Sequence, residues 1–431
     1  MARRTTKGFR CCAALLCVLT LLLGGCGETA PEIAAATPEP LPAPEGLRVA
    51  VASDLHLDPD NTNKSGELSG VVYNLELVEA LLWDARQQGA EILLLTGDLV
   101  NGGRDYRHAA LTERLRQTEA EGLQIYVLPG NHDLSPVCQT DFAELYRDFG
   151  YDEADSRDPA SLSYCVIRDD LMILMLDTAG YPAAAVDLPG VTAHSTGEAV
   201  FDGAYLTEET LRWAEVRLRQ AREQGLHVLC AGHYNLLPEI TRQPDSGYYL
   251  ENGDRLAKLL RDYGVPLYLS GHMHLRAVYQ DEGLTELLTE YLLSYPTGYS
   301  VLDLTDSGLC CTPRRVNVDA WAAASGQTDP VLLDFSAWQQ EELYRYSQTN
   351  VDYMARRNPL SKRKARQAAA FFYATMDAYW RGTLSEERQA LEAMPGYEPF
   401  FRCAEGYSYG WWLKDLIETA SPLLRGFSLD W

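Results

Sequence analysis

The sequence predicts a layered α/β fold, an α/β/β/α sandwich, followed by a C-terminal helical bundle. Three observations predict it. From Leu47 to Ser270, short apolar runs alternate with segments of helical periodicity, the pattern of sheets covered on their outer faces by helices. From Ala277 to about Val316 the chain reads as several antiparallel strands. After Val318 the composition turns to Tyr, Trp, Ala, Arg and Glu with helical recurrence. At 431 residues there is room for two or three domains, each with its own core.

Residues 1–25 read as a signal peptide rather than as part of the fold. Arg3, Arg4, Lys7 and Arg10 form a basic start, and Cys11 to Leu23 is an apolar run of thirteen residues, short for a spanning helix. Leu22-Leu23-Gly24-Gly25-Cys26 resembles a bacterial lipobox. That resemblance implies cleavage before Cys26, a diacylglycerol on its sulfur, and tethering to the outer face of the bacterial cell membrane. An ordinary secretory signal or an uncleaved anchor is the alternative. Residues 26–46, rich in Ala, Pro and Glu, read as an extended linker.

The formal charge of −24 becomes −28 once the four basic side chains of the signal are removed. Such a surface argues against polymeric nucleic acid as a partner, while a small anionic substrate stays compatible where bound cations set the local field. Beyond Cys26 the cysteines are Cys138, Cys165, Cys230, Cys310, Cys311 and Cys403. None has Cys-x-x-Cys spacing, so buried free thiols are expected, Cys230 above all.

The catalytic body is expected over residues 47–318. Leu47–Ala52 is a short apolar strand; Val72–Gln88 is a helix closed by Gly89; Ile92–Leu95 is a buried strand; Arg107–Ala120 is a helix stopped by Gly122. Leu123–Leu128 is the next strand, and Leu162–Ile167 and Leu171–Leu176 form a hairpin around Arg168-Asp169-Asp170. Thr207 opens a helix to about Gln224, with Glu208 and Glu209 set against its N-terminal dipole. His227–Ala231 and Pro266–Ser270 are strands flanking an Asp254–Tyr263 helix. In residues 319–431, helices are expected at Asp334–Ser347, Lys362–Arg381, Ser385–Met394 and Trp411–Leu424.

Polar clusters follow five of these strands: Ser53-Asp54-Leu55-His56, Gly97-Asp98-Leu99-Val100-Asn101, Gly130-Asn131-His132-Asp133, Gly232-His233 and Gly271-His272-Met273-His274. The C-terminal ends of strands are where open α/β sheets build sites. Five of the eight histidines fall in this set, which scattered placement would not produce. Asp, Asn and His make a mixed N/O donor set without thiolate, too large for one tetrahedral ion. Two metal ions, a pair that can clamp a phosphoryl group and acidify a water, match the count. Mn, Fe and Zn suit the donors equally. His108, His194 and His227 lie outside the clusters and read as structural or surface residues.

The series Asp-x-His, Gly-Asp, Gly-Asn-His-Asp, His, Gly-His-x-His resembles the calcineurin-like metallophosphoesterase superfamily over about Leu47 to Val316. The resemblance implies that Asp54, His56, Asp98 and His274 bind one metal and that Asp98, Asn131, His233 and His272 bind the other, with Asp98 bridging. It implies further that His132 serves the leaving oxygen, with Asp133 orienting and charging its imidazole, and that a metal-bridging hydroxide attacks. Purple-type acid phosphatases carry a Tyr ligand where Asn101 stands, so a tyrosinate–iron centre is not expected. The Asp133 and Leu99-Val100-Asn101 context resembles the class III cyclic-nucleotide phosphodiesterases, including exported members with a helical C-terminal region.

The expected activity is therefore hydrolysis of a phosphodiester, with a small nucleotide-like substrate such as a cyclic nucleotide. A phosphomonoesterase or pyrophosphatase acting on nucleotides, and a surface lipoprotein with a relict site, are the alternatives. Asp177–Tyr205, long and Gly/Pro/Ala-rich, is a candidate binding loop. Tyr234, Asn235, Tyr295 and Tyr299 are read as core residues rather than stacking platforms, and the C-terminal helices as a buttress rather than a wall of the substrate cleft or a dock for a surface partner.

Overall fold

The computed structural model describes residues 41–61, 70–134, 139–179, 204–237 and 249–431. The expected signal peptide, Cys26, Cys138, His194 and most of the 177–205 loop lie outside the described residues.

The strands are β1 (Leu47–Ala52), β2 (Ile92–Thr96), β3 (Gln124–Leu128), β4 (Ser156–Arg157), β5 (Tyr164–Arg168), β6 (Leu171–Met175) and β7 (His227–Ala231). They continue with β8 (Leu267–Ser270), β9 (Ala277–Asp281), β10 (Leu284–Leu288), β11 (Gly298–Thr305), β12 (Gly308–Arg315) and β13 (Phe427–Asp430). One sheet runs β13-β12-β11-β1-β2-β3, the other β4-β5-β6-β7-β8-β10-β9. Within them β1, β2 and β3 are parallel, as are β6, β7, β8 and β10. The parallel strands therefore end at a common rim in each sheet.

Every residue of β2, β6 and β10 is buried. That is why β2 and β6 read as apolar runs instead of alternating ones, whereas β10 buries Glu286, whose carboxylate accepts from Ser270 Oγ and from the Leu236 and Leu237 backbone N–H groups. Contacts between the sheets include Tyr164 on β5, which donates its hydroxyl to the Val127 carbonyl on β3 at 2.8 Å, and Arg168, which donates to the Tyr126 hydroxyl at 2.7 Å.

Helices α1 (Asn74–Gln87) and α2 (Asp105–Ala120) belong to the first sheet's half, and a short α3 (Gln139–Leu145) follows β3. Helices α4 (Glu208–Gln224) and α5 (Gly253–Tyr263) pack on the second sheet, with Leu211, Ala214, Leu218, Leu256 and Leu260 in one apolar core with Met172, Leu174 and Cys230. Thr207 caps α4 as expected, its hydroxyl accepting from Thr210 N at 3.1 Å. Gly225 closes that helix in the left-handed conformation at φ 69°.

Beyond β12 come α6 (Val318–Ser325), α7 (Phe335–Ala355), α8 (Lys362–Trp380), α9 (Leu384–Glu392), α10 (Tyr397–Cys403) and α11 (Ser408–Thr419). Helix α7 runs past the expected end at Ser347, carried by the buried Val351 and Met354. Helix α11 stops at Thr419, short of the expected Leu424, because a 3₁₀ turn begins at Pro422. Phe371, Phe372 and Phe400 are fully buried at the centre of the bundle, each contributing on the order of 2 kcal/mol.

Two features have no counterpart in the sequence reading. Helix α6 packs against α1, and the last strand, β13, returns to pair with β12 of the first sheet. The C-terminal region is thus stitched to the body at both ends. Between these ends, the buried carboxylate of Asp377 on α8 accepts from Tyr295 Oη at 2.5 Å and from Arg381 Nε at 2.7 Å. Gln339 on α7 donates to Thr297 Oγ1 at 2.5 Å. Tyr295 and Tyr299 are core residues, as expected, with 1% or less of their surface exposed. Cys165, Cys230, Cys310, Cys311 and Cys403 are free thiols, and all but Cys310 are buried.

Candidate metal centre

Asp54 and His56 follow β1, Asp98 follows β2, Asn131 and His132 follow β3, His233 follows β7, and His272 and His274 follow β8. Apolar strands deliver them, but the exits are built from unusual backbone. Asp54 (φ 53°), His56 (φ 40°), Asp98 (φ 48°), His272 (φ 72°) and His274 (φ 57°) all lie in the left-handed region. Side chains other than glycine rarely adopt it, and strain of this kind concentrates at functional sites. Hydrogen bonds between the exits hold the conformation: Asp54 N donates to Gly97 O at 3.0 Å and His56 N to Asp98 O at 2.9 Å.

The glycines ahead of the ligands serve close approach. A Cβ on Gly97, itself at φ 95°, would lie 2.5 Å from His233 Nδ1. A Cβ on Gly271 would lie 2.5 Å from Asp54 Oδ2.

The donor atoms gather into two groups that share Asp98. Donor atoms of Asp54, His56, Asp98 and His274 lie within 4.8 Å of one another, as do those of Asp98, His233 and His272. Asn131 Oδ1 completes the second group, 3.2 Å from His233 Nε2 and 3.1 Å from His272 Nδ1. Oδ2 of Asp98 lies 3.4 Å from His56 Nε2 and also 3.4 Å from His233 Nε2, one imidazole from each group. The seven residues expected as ligands are thereby brought to one place, in the expected partition.

The donor chemistry fits cations. Nδ1 of His233 lies 2.9 Å from the Thr96 carbonyl, an acceptor only, so Nδ1 carries the proton and Nε2 presents its lone pair. That lone pair faces the oxygens of Asn131 and Asp98. Likewise Nε2 of His56 and Nε2 of His274 face each other at 3.0 Å. Electron-rich atoms turned on one another need a proton or a metal cation between them. Burial alone would disfavour an ionised Asp98, yet His233 and its neighbours outweigh it and hold the carboxyl well below the usual range. Burial likewise opposes charge on His233, and Asp98 overrides it, pushing the imidazole up to about 9, so that a proton on Nε2 takes the cation's place where no metal is bound. Both responses mark a cavity whose fixed groups attract cations.

His132 stands beside this cluster, its ring 4.7 Å from that of His56, edge to face. Its backbone N–H donates to Asp98 Oδ1 at 2.8 Å. The task assigned to Asp133 from the sequence, to orient and charge the His132 imidazole, needs correction. Its carboxylate accepts backbone N–H groups from Leu99 at 3.0 Å, Val100 at 2.8 Å and Gly130 at 2.8 Å. Asp133 thus ties the exit of β2 to the exit of β3. Burial keeps the His132 imidazole below its ordinary pKa, against the pull of Asp98.

Asn101 donates to Asp58 Oδ2 at 3.4 Å, so the position of a tyrosinate ligand is taken by a loop amide. His108, buried, contacts the Tyr146 hydroxyl at 2.8 Å and the Asp133 carbonyl at 3.2 Å; His227 stacks on Trp431 at 4.4 Å. Both are structural, as expected.

A family profile described as calcineurin-like phosphoesterase matches residues 47–276, more than half of the chain. The chain belongs to the calcineurin-like phosphoesterases. A second profile, described as the C-terminal domain of cyclic nucleotide phosphodiesterase, matches residues 317–418 of this phosphoesterase. No curated protein matches it by sequence. Among solved structures it is similar to a dimetal phosphatase from Danio rerio, at 13% identity and TM-score 0.49, over 63% of this chain and 97% of that one. It is also similar to a purple acid phosphatase from yellow lupin (Lupinus luteus), at 15% identity and TM-score 0.41, over 65% and 53%. The phosphopantetheinyl hydrolase of Mycobacterium tuberculosis aligns at 15% identity and TM-score 0.34, over 58% and 91%.

Sequence reasoning missed several supporting residues of the phosphoesterase. Thr178 Oγ1 accepts from the backbone N–H groups of His233 and Tyr234 at 2.9 and 3.0 Å, setting the turn after β7. Tyr291 stacks on His274, rings 4.5 Å apart and 18° from parallel, and Tyr234 stacks on His272 at 4.0 Å. An aromatic beside each cluster was the available signal, but neither its partner nor its stacking can be read locally. The C-terminal helices also do more than buttress the body: with His274 and Tyr291 they line a cavity of about 870 Å³.

Proposed function

We propose that this phosphoesterase is a dimetal phosphodiesterase whose substrate is a small nucleotide-like diester of the cyclic-nucleotide kind. The observation that carries the dimetal reading is the position of Asp98 Oδ2, equidistant at 3.4 Å from one histidine of each group. The match of residues 317–418 to the C-terminal domain of cyclic nucleotide phosphodiesterase supports the diester preference.

Asp54, His56, Asp98 and His274 would hold one divalent ion, and Asp98, Asn131, His233 and His272 the other. Two such ions supply charge neutralisation for the phosphoryl oxygens and an acidified water. The protein's own residues do the rest. Asp98 fixes the spacing of the two donor groups because one of its oxygens serves both and the other is held by His132 N. Thr96 and Thr178 aim the His233 ring. The imidazole of His132, beside the donor groups and partly exposed, is placed to hand a proton to the departing ester oxygen as water adds to phosphorus and the P–O bond breaks. Residues 1–25 would direct export, and lipid on Cys26 would tether the enzyme to the outer face of the cell membrane.

The test is turnover of bis(p-nitrophenyl) phosphate against p-nitrophenyl phosphate with Mn²⁺ supplied. The diester is expected to be preferred by about tenfold or more in kcat/KM. Cleavage of the monoester alone would overturn the diesterase reading, and absence of bound metal in the purified, metal-supplied protein would overturn the dimetal one.

A further inference from the structure

The geometry points to the C-terminal helices as the substrate-specificity element: their aromatic cavity receives an uncharged aromatic substituent of a diester that carries a single phosphoryl group. This rests on the diesterase reading and adds the location and chemistry of the pocket for the organic part.

Four observations carry it. First, the cavity is continuous with the metal centre, because His274, a candidate ligand, and Tyr291, stacked on it, form part of its wall. Second, the helices' share of the wall is largely aromatic: α7 supplies Tyr346 and Tyr353, α8 supplies Phe372 and Trp380, and α11 supplies Trp411 and Trp412. Third, no Lys, Arg, Asp or Glu occurs among its described lining residues. A second phosphate would enter without a cation to meet it, which disfavours dinucleotides and pyrophosphates. Fourth, of the described large hydrophobic residues left exposed, the two most exposed are Trp411 at 57% and Tyr353 at 54%, both on this cavity. Exposed aromatics gathered at one concave site are the usual sign of a bound apolar or π-faced group.

The wall is also held in shape. Tyr346 Oη and Tyr409 Oη are hydrogen-bonded at 2.6 Å, joining α7 to α11. Tyr379 on α8 donates its hydroxyl to the Arg276 carbonyl, two residues beyond His274, so the helices are coupled to the loop that carries a ligand. At about 870 Å³ the cavity lies within the range of sites for drug-sized ligands. The body brings the phosphoryl group to the metals, and the helices select what is attached to it.

Two p-nitrophenyl diesters that share a leaving group test this, one with methyl and one with a nucleoside as the second substituent. The wild type is expected to favour the nucleoside ester by about tenfold or more in kcat/KM, the size of one base-on-aromatic stacking contact. In Trp411→Ala, and in the double variant with Tyr353→Ala, the ratio of the two kcat/KM values is expected to collapse towards one. Val216→Ala, an exposed position on α4 away from the cavity, should keep the wild-type ratio. An unchanged ratio in the cavity variants, or no wild-type preference, overturns the proposal. Should neither diester turn over, the diesterase reading falls, and binding decides the cavity separately. In that case quenching of tryptophan fluorescence by a nucleoside monophosphate, but not by methyl phosphate, in metal-free protein supports the pocket. Equal response to both refutes it.

Discussion

The backbone N–H of His132 donates to Oδ1 of Asp98 at 2.8 Å, across thirty-four positions of sequence. One residue thereby fixes the carboxylate that both donor groups share while offering its own side chain beside them. Backbone and imidazole of His132 have separable roles, and a substitution that keeps the first removes only the second.

Replacing Asp98 by Ala is expected to empty both metal positions and lower turnover by about a thousandfold or more. His132→Ala keeps the backbone N–H, so it should keep both metals while losing about 10²- to 10⁴-fold in kcat. Elemental analysis beside steady-state kinetics separates the two. Loss of metal from the His132 variant would show that its ring is a ligand.

Asp133→Asn should act on stability before catalysis. Three backbone N–H groups converge on the carboxylate, and an amide offers them one oxygen and a repelling NH₂. The expected cost is about 1–3 kcal/mol, read as a lower melting temperature with looser metal binding. Full stability with a displaced kcat–pH profile would instead restore a direct role for Asp133 on His132.

His108 predicts a specific acid sensitivity. Burial pushes its pKa from 6.5 down to about 4. A depressed base is neutral in the fold and must charge on unfolding, so its contribution is intact above pH 6.5 and is lost as pH falls towards 4. The span corresponds to about 3 kcal/mol. Denaturant titrations from pH 7 to 4 should show a shallower decline for His108→Gln than for the wild type. Parallel declines would mean that His108 is not the group responsible.

Asp377→Ala should loosen the bundle from the body, because it removes the buried carboxylate that Tyr295 of the body and Arg381 share. A loss of about 2–4 kcal/mol is expected, together with protease sensitivity appearing first in residues 319–431. Unchanged proteolysis would place the joint elsewhere.

The proposed tether has its own test. Cys26→Ala should abolish both the lipid attachment and the cleavage before residue 26, so intact mass should show residues 1–25 retained and no diacylglycerol. A wild-type protein whose intact mass already includes residues 1–25 and no lipid would favour an uncleaved anchor.

The strands and the ligand set were legible for a physical reason. A strand buried on both faces tends to read as a short apolar run, as Ile92–Leu95 and Val228–Ala231 do, and a polar cluster directly after such a run has one place to go, the rim. Residue type then limits the chemistry: Asp, Asn and His without thiolate accept hard or borderline cations. Helix lengths were less legible, since the end of α7 depends on Val351 and Met354 finding partners in the bundle.

By itself, then, the order of residues along the chain determined the layered sheets, the rim and the seven candidate ligands gathered there. All of these follow from local patterns of burial and from donor chemistry. Tertiary structure alone decided that Asp133 serves backbone amides, that five ligand positions take left-handed backbone, that β13 returns to the first sheet, and that α7, α8 and α11 face His274 across an aromatic cavity. These depend on contacts between distant segments, such as His56 and His274, 218 positions apart. No periodicity records such pairings, because their energy exists only once the sheets have brought the partners together.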